Sequence, residues 1–404
     1  WNERFEDFVA TLTGMLSVFD VVWVCALGID QNADVTDMLE GSSIEKSPFA
    51  QALRSAEKCL VLMDEHAEPP QRVWCVYEAH VALESGKDYS MALADNTNRE
   101  QWQKVRKVLQ GLDVRECAAS RLEDKTRILT AIDAESVNKV VQEASATAAD
   151  AAEVMSAAAS GMCPSLEEFI ACGRPLDVRD ARGRSPLHIA AEYGQDDVAK
   201  FLVKHFAESG HGSALHARTS DGLVPIHFAA LNGHSSTVHT LREVLPEFSG
   251  QFLVSSEGET PLHVAAVMGR VDAIRALLDT SLDPAETEEL LHFHDSAGRA
   301  PIHRAAGNGH ADAVRLLWQS STSLQIKAGS GDTPLHIAAQ RCQLRAVQVL
   351  LESRANVHER ANDSSSVLHR AAFGGSAEVI KELLAAKALV DALEQEDWTP
   401  LHRA

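Results

Sequence analysis

Seven histidines recur along the chain: His188, His227, His263, His303, His336, His369 and His402. Their spacings are 39, 36, 40, 33, 33 and 33 residues. Imidazoles ligate metals and move protons, but a metal site needs ligands that converge at about 2 Å from one ion. One histidine per unit of this length places each ring on a separate structural element, so the spacing predicts no metal site. Glu78 is the remaining candidate for chemistry, as a carboxylate that could steady a positive, oxocarbenium-like transition state. The bland reading of Glu78 is a carboxylate near a helix N-terminus, complementing the macrodipole. Cys75 beside it has no His or Asn at a suggestive spacing and reads as a core thiol. Gly329-Ser330-Gly331 lacks the Lys that a phosphate-binding loop requires.

The elements that carry the histidines can be read from their neighbours. Pro186, Pro225, Pro261, Pro301, Pro334 and Pro400 each stand two residues before a His, at the first turn of a helix where a missing N–H costs nothing. Ser185, Thr260, Thr333 and Thr399 precede four of these prolines as N-caps. Gly194, Gly233, Gly269, Gly309 and Gly375 follow a His by six residues and end that short helix. An apolar trio then marks one face of a second helix, as in Ile274-Leu277-Leu278, Val347-Leu350-Leu351 and Ile380-Leu383-Leu384. Stacked two-helix repeats follow from a period that settles on 33. Such quasi-one-dimensional arrays serve as scaffolds that grip other proteins.

From about residue 152 to the end the chain resembles the ankyrin family, on the Thr-Pro-Leu-His phrase and its period. The resemblance implies an α-solenoid in which each helix pair is followed by a β-hairpin finger. The fingers fall at Asp180 to Arg184, Asp221-Gly222, Glu257-Gly258, Asp295 to Gly298, Ser330-Gly331, Asn362-Asp363 and Asp397-Trp398. It also implies that each His bonds to the preceding Thr and to neighbouring backbone. It implies a concave binding surface built by Tyr193, Leu231, Asn232, Met268, Asn308 and Arg341 on the first helices. The finger residues Arg184, Leu223, Arg299 and Trp398 join them. A degenerate unit around Met155, Gly161, Leu166, Phe169 and Ile170 opens the array. The longer spacings predict surface loops around Gly210 to Ala214, Pro246 to Gly250 and Ser281 to Glu289. Cys342 replaces a turn Gly, which predicts a locally remodelled turn. The chain is expected to be a fragment, with its last repeat truncated at Ala404 and further repeats following.

Residues 1–134 show no repeat. They read as helix, buried strand and helix in turn: strands at Asp20 to Leu27, Cys59 to Met63, Tyr89 to Leu93 and Leu112 to Cys117, and helices at Phe49 to Ala56, Val73 to Leu83, Trp102 to Leu109 and Glu123 to Ile132. That alternation predicts a flavodoxin-like parallel α/β sheet. The run Ser47 to Met63, followed by Val73-Trp74-Cys75-Val76-Tyr77-Glu78, resembles the Toll/interleukin-1 receptor (TIR) family, in a divergent branch of protist and algal repeat proteins. The family's first, mid-sheet strand has no counterpart, so the domain is expected to be incomplete. In some members of that family the residue matching Glu78 supports cleavage of NAD; in others the domain only assembles with further copies.

The net charge of −21 is spread evenly, −11 over residues 1–150 and −10 over the rest, and repels nucleic acid and anionic membranes. Seven cysteines without paired spacing read as reduced thiols of the cytosol or nucleus. The reading is therefore a TIR-like α/β domain over 1–134, a helical connector over 135–150 and an ankyrin array over 151–404, its degenerate first repeat at 151–180. The expected function is a protein-interaction adaptor with an assembly or signalling module that self-associates, needing no cofactor. The alternative is a TIR-like NAD hydrolase controlled by binding to the array.

Overall fold

The computed structural model describes residues 54, 58–63, 73–93, 104, 107–108, 112–117, 122–180, 182–244, 253–278, 284–321, 326–395 and 397–404. They divide into two compact units. One runs to Ala158 and includes Pro164–Pro186; the other comprises Ala159–Cys163 and Leu187–Ala404.

In the first unit, strands β1 (Lys58–Met63) and β2 (Asp88–Leu93) pair in parallel, with Cys59 opposite Tyr89. Helix α1 (Val73–Glu84) joins them and packs on both. A parallel pair needs such a crossover. Helix α2 (Leu122–Ala131) packs on α1 and is followed by the 26-residue α3 (Ala134–Ala159). Val76, Tyr77, Ile128, Val137 and Val141 share one buried core. The strands at Cys59 and Tyr89 and the helices at Val73 and Glu123 stand where their patterns place them. The expected strand Leu112 to Cys117 does not form. Val114–Glu116 is instead a 3-10 turn, because the Asp113 carboxylate accepts the Arg115 N–H at 3.0 Å and Asn138 Oδ1 accepts the Val114 N–H at 2.9 Å. Side chains that satisfy backbone donors in this way compete with a sheet. The strand Asp20 to Leu27 and most of the helices Phe49 to Ala56 and Trp102 to Leu109 lie outside the described residues.

Helix α4 (Cys163–Ala171) buries Leu166 and Phe169, and the backbone at Gly161 takes a φ of +73°. Arg174 bridges Asp150 and Glu153 and stacks 4.4 Å from the Phe169 ring centroid.

The second unit is a solenoid of helix pairs: α5 (Pro186–Tyr193) with α6 (Asp196–Glu208), α7 (Pro225–Asn232) with α8 (Ser235–Val244), and α9 (Pro261–Val267) with α10 (Val271–Leu277). After α11 (Pro284–His292) come α12 (Pro301–Gly307) with α13 (Ala311–Ser320), α14 (Pro334–Gln340) with α15 (Leu344–Glu352), and α16 (Val367–Gly374) with α17 (Ala377–Ala385); α18 (Pro400–Arg403) opens the next pair. From α7 onward each first helix packs on the next, α7 on α9, α9 on α12, α12 on α14 and α14 on α16. Second helices do the same from α6 to α17. The interior is made of small and branched residues such as Ala229, Ala265, Val314, Leu350 and Leu383.

Two of the expected loops are corrected. The insertion around Ser281 to Glu289 carries the helix α11, started by Pro284 and anchored by buried Leu290 and Leu291. Its Glu-Thr-Glu-Glu-Leu-Leu run is a good helix former. The insertion at Gly210 to Ala214 runs into a 3-10 turn (Gly212–His216) that buries Ala214 and Leu215. The insertion at Pro246 to Gly250 lies outside the described residues. Cys342 is also corrected: the turn is not remodelled but keeps the left-handed conformation, at φ +58°. Its closure is held by Gln343 N–H donating to Ala338 O at 2.9 Å and by the Cys342 thiol donating to Gly374 O at 3.0 Å.

Candidate protein-binding surface

Six of the seven histidines of the repeated phrase are buried in the array, and His402, on the short α18, is exposed. Nδ1 accepts the backbone N–H three residues earlier, as from Val224 to His227, Thr260 to His263 and Ala300 to His303, each at 3.2 Å. Nε2 then faces a carbonyl one repeat on: Leu223 for His188, Glu259 for His227, Arg299 for His263, Asp332 for His303 and Trp398 for His369, at 2.9 to 3.1 Å. With Nδ1 accepting, the proton sits on Nε2 and the ring is neutral. Burial drives the pKa of His227, His263, His303 and His336 down to about 4. Among the described residues no three His, Cys, Asp or Glu side chains converge on a point that could hold a metal.

The carbonyls so captured belong to the fingers. Each finger closes the same way: Thr219 N–H donates to Leu223 O and Gly222 N–H to Thr219 O, and the pattern repeats at Asp180, Ser255, Asp295, Ala328, Ala361 and Glu394. Successive fingers are bonded side by side, Ser256 N–H to Asp221 O at 2.9 Å, Ser296 to Glu257 at 3.0 Å, Gly329 to Gly298 at 2.7 Å and Asn362 to Ser330 at 3.0 Å. At Gly298 a Cβ would stand 2.9 Å from the Gly329 nitrogen, so this approach excludes a side chain.

Two further rows tie the repeats. Arginines directly after the His grip finger carboxylates: Arg304 bridges Asp295 and Glu259, Arg370 bridges Asp332 and Asp363, and Arg403 holds Glu394. Burial alone would raise the Asp295 carboxyl, but the Arg299 N–H, Arg304 and Arg299 together hold it below its ordinary value. The residues after Gly233, Gly269 and Gly309 reach back to the previous first helix. His234 Nε2 meets Glu192 O at 3.0 Å, Arg270 Nε donates to Leu231 O at 3.0 Å, and His310 Nε2 meets Val267 O at 2.8 Å.

The predicted surface residues divide on this frame. Tyr193 (48% exposed), Met268 (42%) and Trp398 (42%) are open, as are Asn308 and Arg341. Arg184 is half-buried and ion-paired to Asp180 at 2.7 Å, and Arg299 lies 3.3 Å from Asp295. Leu223 and Leu231 are half-buried, with their carbonyls taken by His188 and Arg270. Asn232 and Asn308 donate to the carbonyls of Phe228 and Arg304, four residues back. Trp398 carries Arg403 5.0 Å from its ring centroid. Sequence reasoning missed Phe373, which is 65% exposed. Its signal was its place two residues before the turn Gly375, where Leu231 stands relative to Gly233. It also missed the His-Arg pairs at 303–304, 369–370 and 402–403.

Glu78 sits on α1 and is 9% exposed. Burial pushes the nearby Cys59 thiol up to about 12, and the Glu78 charge adds to that. Tyr89 is raised in the same sense, by burial first and by Cys59 and Glu78 next.

A family model for ankyrin repeats matches three times, over residues 154–244, 206–288 and 286–361, which is a continuous half of the chain. The chain belongs to the ankyrin repeat family. Among curated proteins, mouse inversin is 32% identical over 115 residues, covering 28% of this chain and 10% of inversin. Bovine NF-kappa-B inhibitor zeta is 35% identical over 77 residues, covering 19% of this chain and 11% of its own length. The chain thus spans about a tenth of the length of these relatives. Among solved structures, the ankyrin repeat domain of Bcl-3, a member of the IkappaB family, is 27% identical with a TM-score of 0.47, covering 55% of this chain and 94% of that one. The human ASB11 ankyrin domain is 25% identical with a TM-score of 0.46, covering 57% and 96%. Ankyrin repeats imply protein partners in general. Among the described residues no helix is long and apolar enough to cross a membrane.

Proposed function

We propose that the chain is an adaptor that captures a protein partner on the face made by its first helices and finger tips. The observation that carries this reading is the contrast between consumed and open side chains. The buried histidines and the clamping arginines are spent within the array, while Tyr193, Met268 and Trp398 remain open. Aromatic, Met and Arg side chains are favoured anchors at interfaces. Arg341 and Phe373 extend the same face.

The N-terminal module is read as TIR-like, spanning 1–134, and as serving assembly or signalling. The parallel β1–α1–β2 unit supports this assignment. Enclosure of Glu78 lends nothing to the alternative of NAD cleavage, which needs that carboxylate open to a nucleotide.

The test is affinity capture with the 404-residue chain and identification of bound proteins by mass spectrometry. The capture is then repeated with Tyr193→Ser, Met268→Ser and Trp398→Ser combined. Loss of the partner with an unchanged circular dichroism melt is expected. Undiminished capture would refute this choice of face.

A further inference from the structure

We infer that the two repeats from α14 to α17 are built to open before the rest of the array. Among the described residues five non-glycine residues hold a left-handed backbone: Cys342, Arg354, Ser364, Lys387 and Asp397, with φ between +56° and +67°. All five fall between 342 and 397. For three of the five, the equivalent turns of the preceding repeats use glycine: Gly194, Gly233, Gly269 and Gly309 where Cys342 stands, and Gly222, Gly258, Gly298 and Gly331 where Ser364 and Asp397 stand. A side chain on a left-handed backbone crowds the following carbonyl, a penalty that glycine avoids. Strain of this kind persists only where the surroundings over-determine the conformation.

The surroundings here do so. Arg354 and Lys387 each end a second helix. Their own N–H groups donate to Leu351 O and Leu384 O, and those of Ala355 and Ala388 donate back to Leu350 O and Leu383 O, all at 2.9 to 3.0 Å. Ser364 N–H donates to Ala361 O at 3.0 Å, while Arg360 Nη1 donates to Ser364 O at 2.8 Å. Asp397 N–H donates to Glu394 O at 3.0 Å. These bonds impose the strained turns only while the helices they cap stay packed. Once α14 to α17 loosen, all five residues relax together, so the strain favours opening of this segment as one step.

Four of the five side chains give nothing back. Arg354, Lys387 and Asp397 are exposed and Ser364 is half-buried, and among the described residues none of the four makes an ion pair, whereas Cys342 donates its thiol to Gly374 O. Each repeat of a linear array is held by its neighbours alone, so a local excess of strain lowers local stability instead of being shared. Regions of low local stability are the ones that open first in the native state. The consequence is an array graded along its length, firm through α7 to α13 and poised to open from α14 to α17. Arg341 adjoins Cys342 and Phe373 lies on α16, so the yielding segment carries two open anchors.

Native-state amide exchange on the 404-residue chain tests this. Amides of 334–385 are expected to exchange about tenfold or more faster than those of 225–277. The combined variant Cys342→Gly, Arg354→Gly, Ser364→Gly, Lys387→Gly and Asp397→Gly is expected to slow exchange in 334–385 by about tenfold or more, leaving 225–277 unchanged. Leaving Cys342 intact in a four-glycine variant separates strain from loss of the thiol bond, and the slowing should persist. Equal or slower exchange in 334–385 of the parent chain, or exchange there unaltered by glycine, would overturn the inference.

Discussion

His263 and Arg299 are 36 residues apart, yet the imidazole Nε2 of the first lies 2.9 Å from the carbonyl oxygen of the second. The other ring nitrogen accepts the Thr260 N–H at 3.2 Å and lies 2.8 Å from the Thr260 hydroxyl. One side chain therefore ties the start of its own helix to the finger of the next repeat. The hydroxyl and the N–H both fix Nδ1 as an acceptor, and a neutral ring protonated on Nε2 is the state that satisfies every neighbour.

Acid should dismantle this linkage. The folded pKa of about 4 for His227, His263, His303 and His336 lies below the ordinary 6.5. Between those values the unfolded chain binds protons that the folded chain refuses, so stability is complete above pH 6.5 and falls as pH drops toward 4. Each ring contributes about 3 kcal/mol over that window. Four such rings approach the whole stability of a typical domain, about 5–15 kcal/mol. Urea melts of the array between pH 7.5 and 4.5 should show the midpoint falling steadily below 6.5; a midpoint flat to pH 5 would contradict the assignment.

The tautomer is open to direct observation. Nitrogen-15 spectra at pH 7 should show a proton on Nε2, and none on Nδ1, for His227, His263 and His303. Protonated Nδ1 in any of the three would place two N–H groups face to face and would rule out the bonding pattern described.

Arg370 joins two fingers, with Nε 2.8 Å from Asp332 and Nη2 3.1 Å from Asp363. Arg370→Ala should cost about 2 kcal/mol in chemical unfolding, because the mostly buried Asp332 carboxylate loses charged donors. Arg370→Lys should recover less than half of that, since an ammonium cannot reproduce the planar fork. Full recovery by Lys would show that charge alone suffices.

Close approach of the fingers sets a further test. Gly298→Ala places a methyl 2.9 Å from the Gly329 nitrogen, on a backbone at φ +70°. The left-handed conformation alone costs about 1–2 kcal/mol, and displacement of the Gly329 bond adds to it. Gly173→Ala, with a similar φ of +71° and open space around it, should lose only the conformational part. Equal losses at the two positions would mean that the fingers tolerate separation.

Much of the repeat architecture could be read from neighbours within a few residues of one another. Proline at the first helical position, glycine six residues after the His and an apolar trio at helical spacing act locally, and the helix pairs stand where those marks fall. The same local logic failed where a competing local interaction was overlooked. Asp113 turned the expected strand at Leu112 into a 3-10 turn, and the leucines of α11 made a helix of an expected loop. At Cys342 the missing glycine suggested a remodelled turn, but capping bonds from both sides outweighed the strain. Phe373 escaped notice although it stands two residues before the turn glycine of its repeat, as Leu231 does.

Period, helix pairing and the family follow from residue order alone, because each depends on side chains acting on their own backbone within a turn or two. Which side chains are spent and which stay open depended on stacking. His188, Arg270 and His310 all bond to carbonyl oxygens 35 to 43 residues away, and a carbonyl carries no residue identity to be read in advance. Only when the repeats pile together do those acceptors come within reach, and only then does a repeated histidine become a strut while a tyrosine or phenylalanine is left facing water.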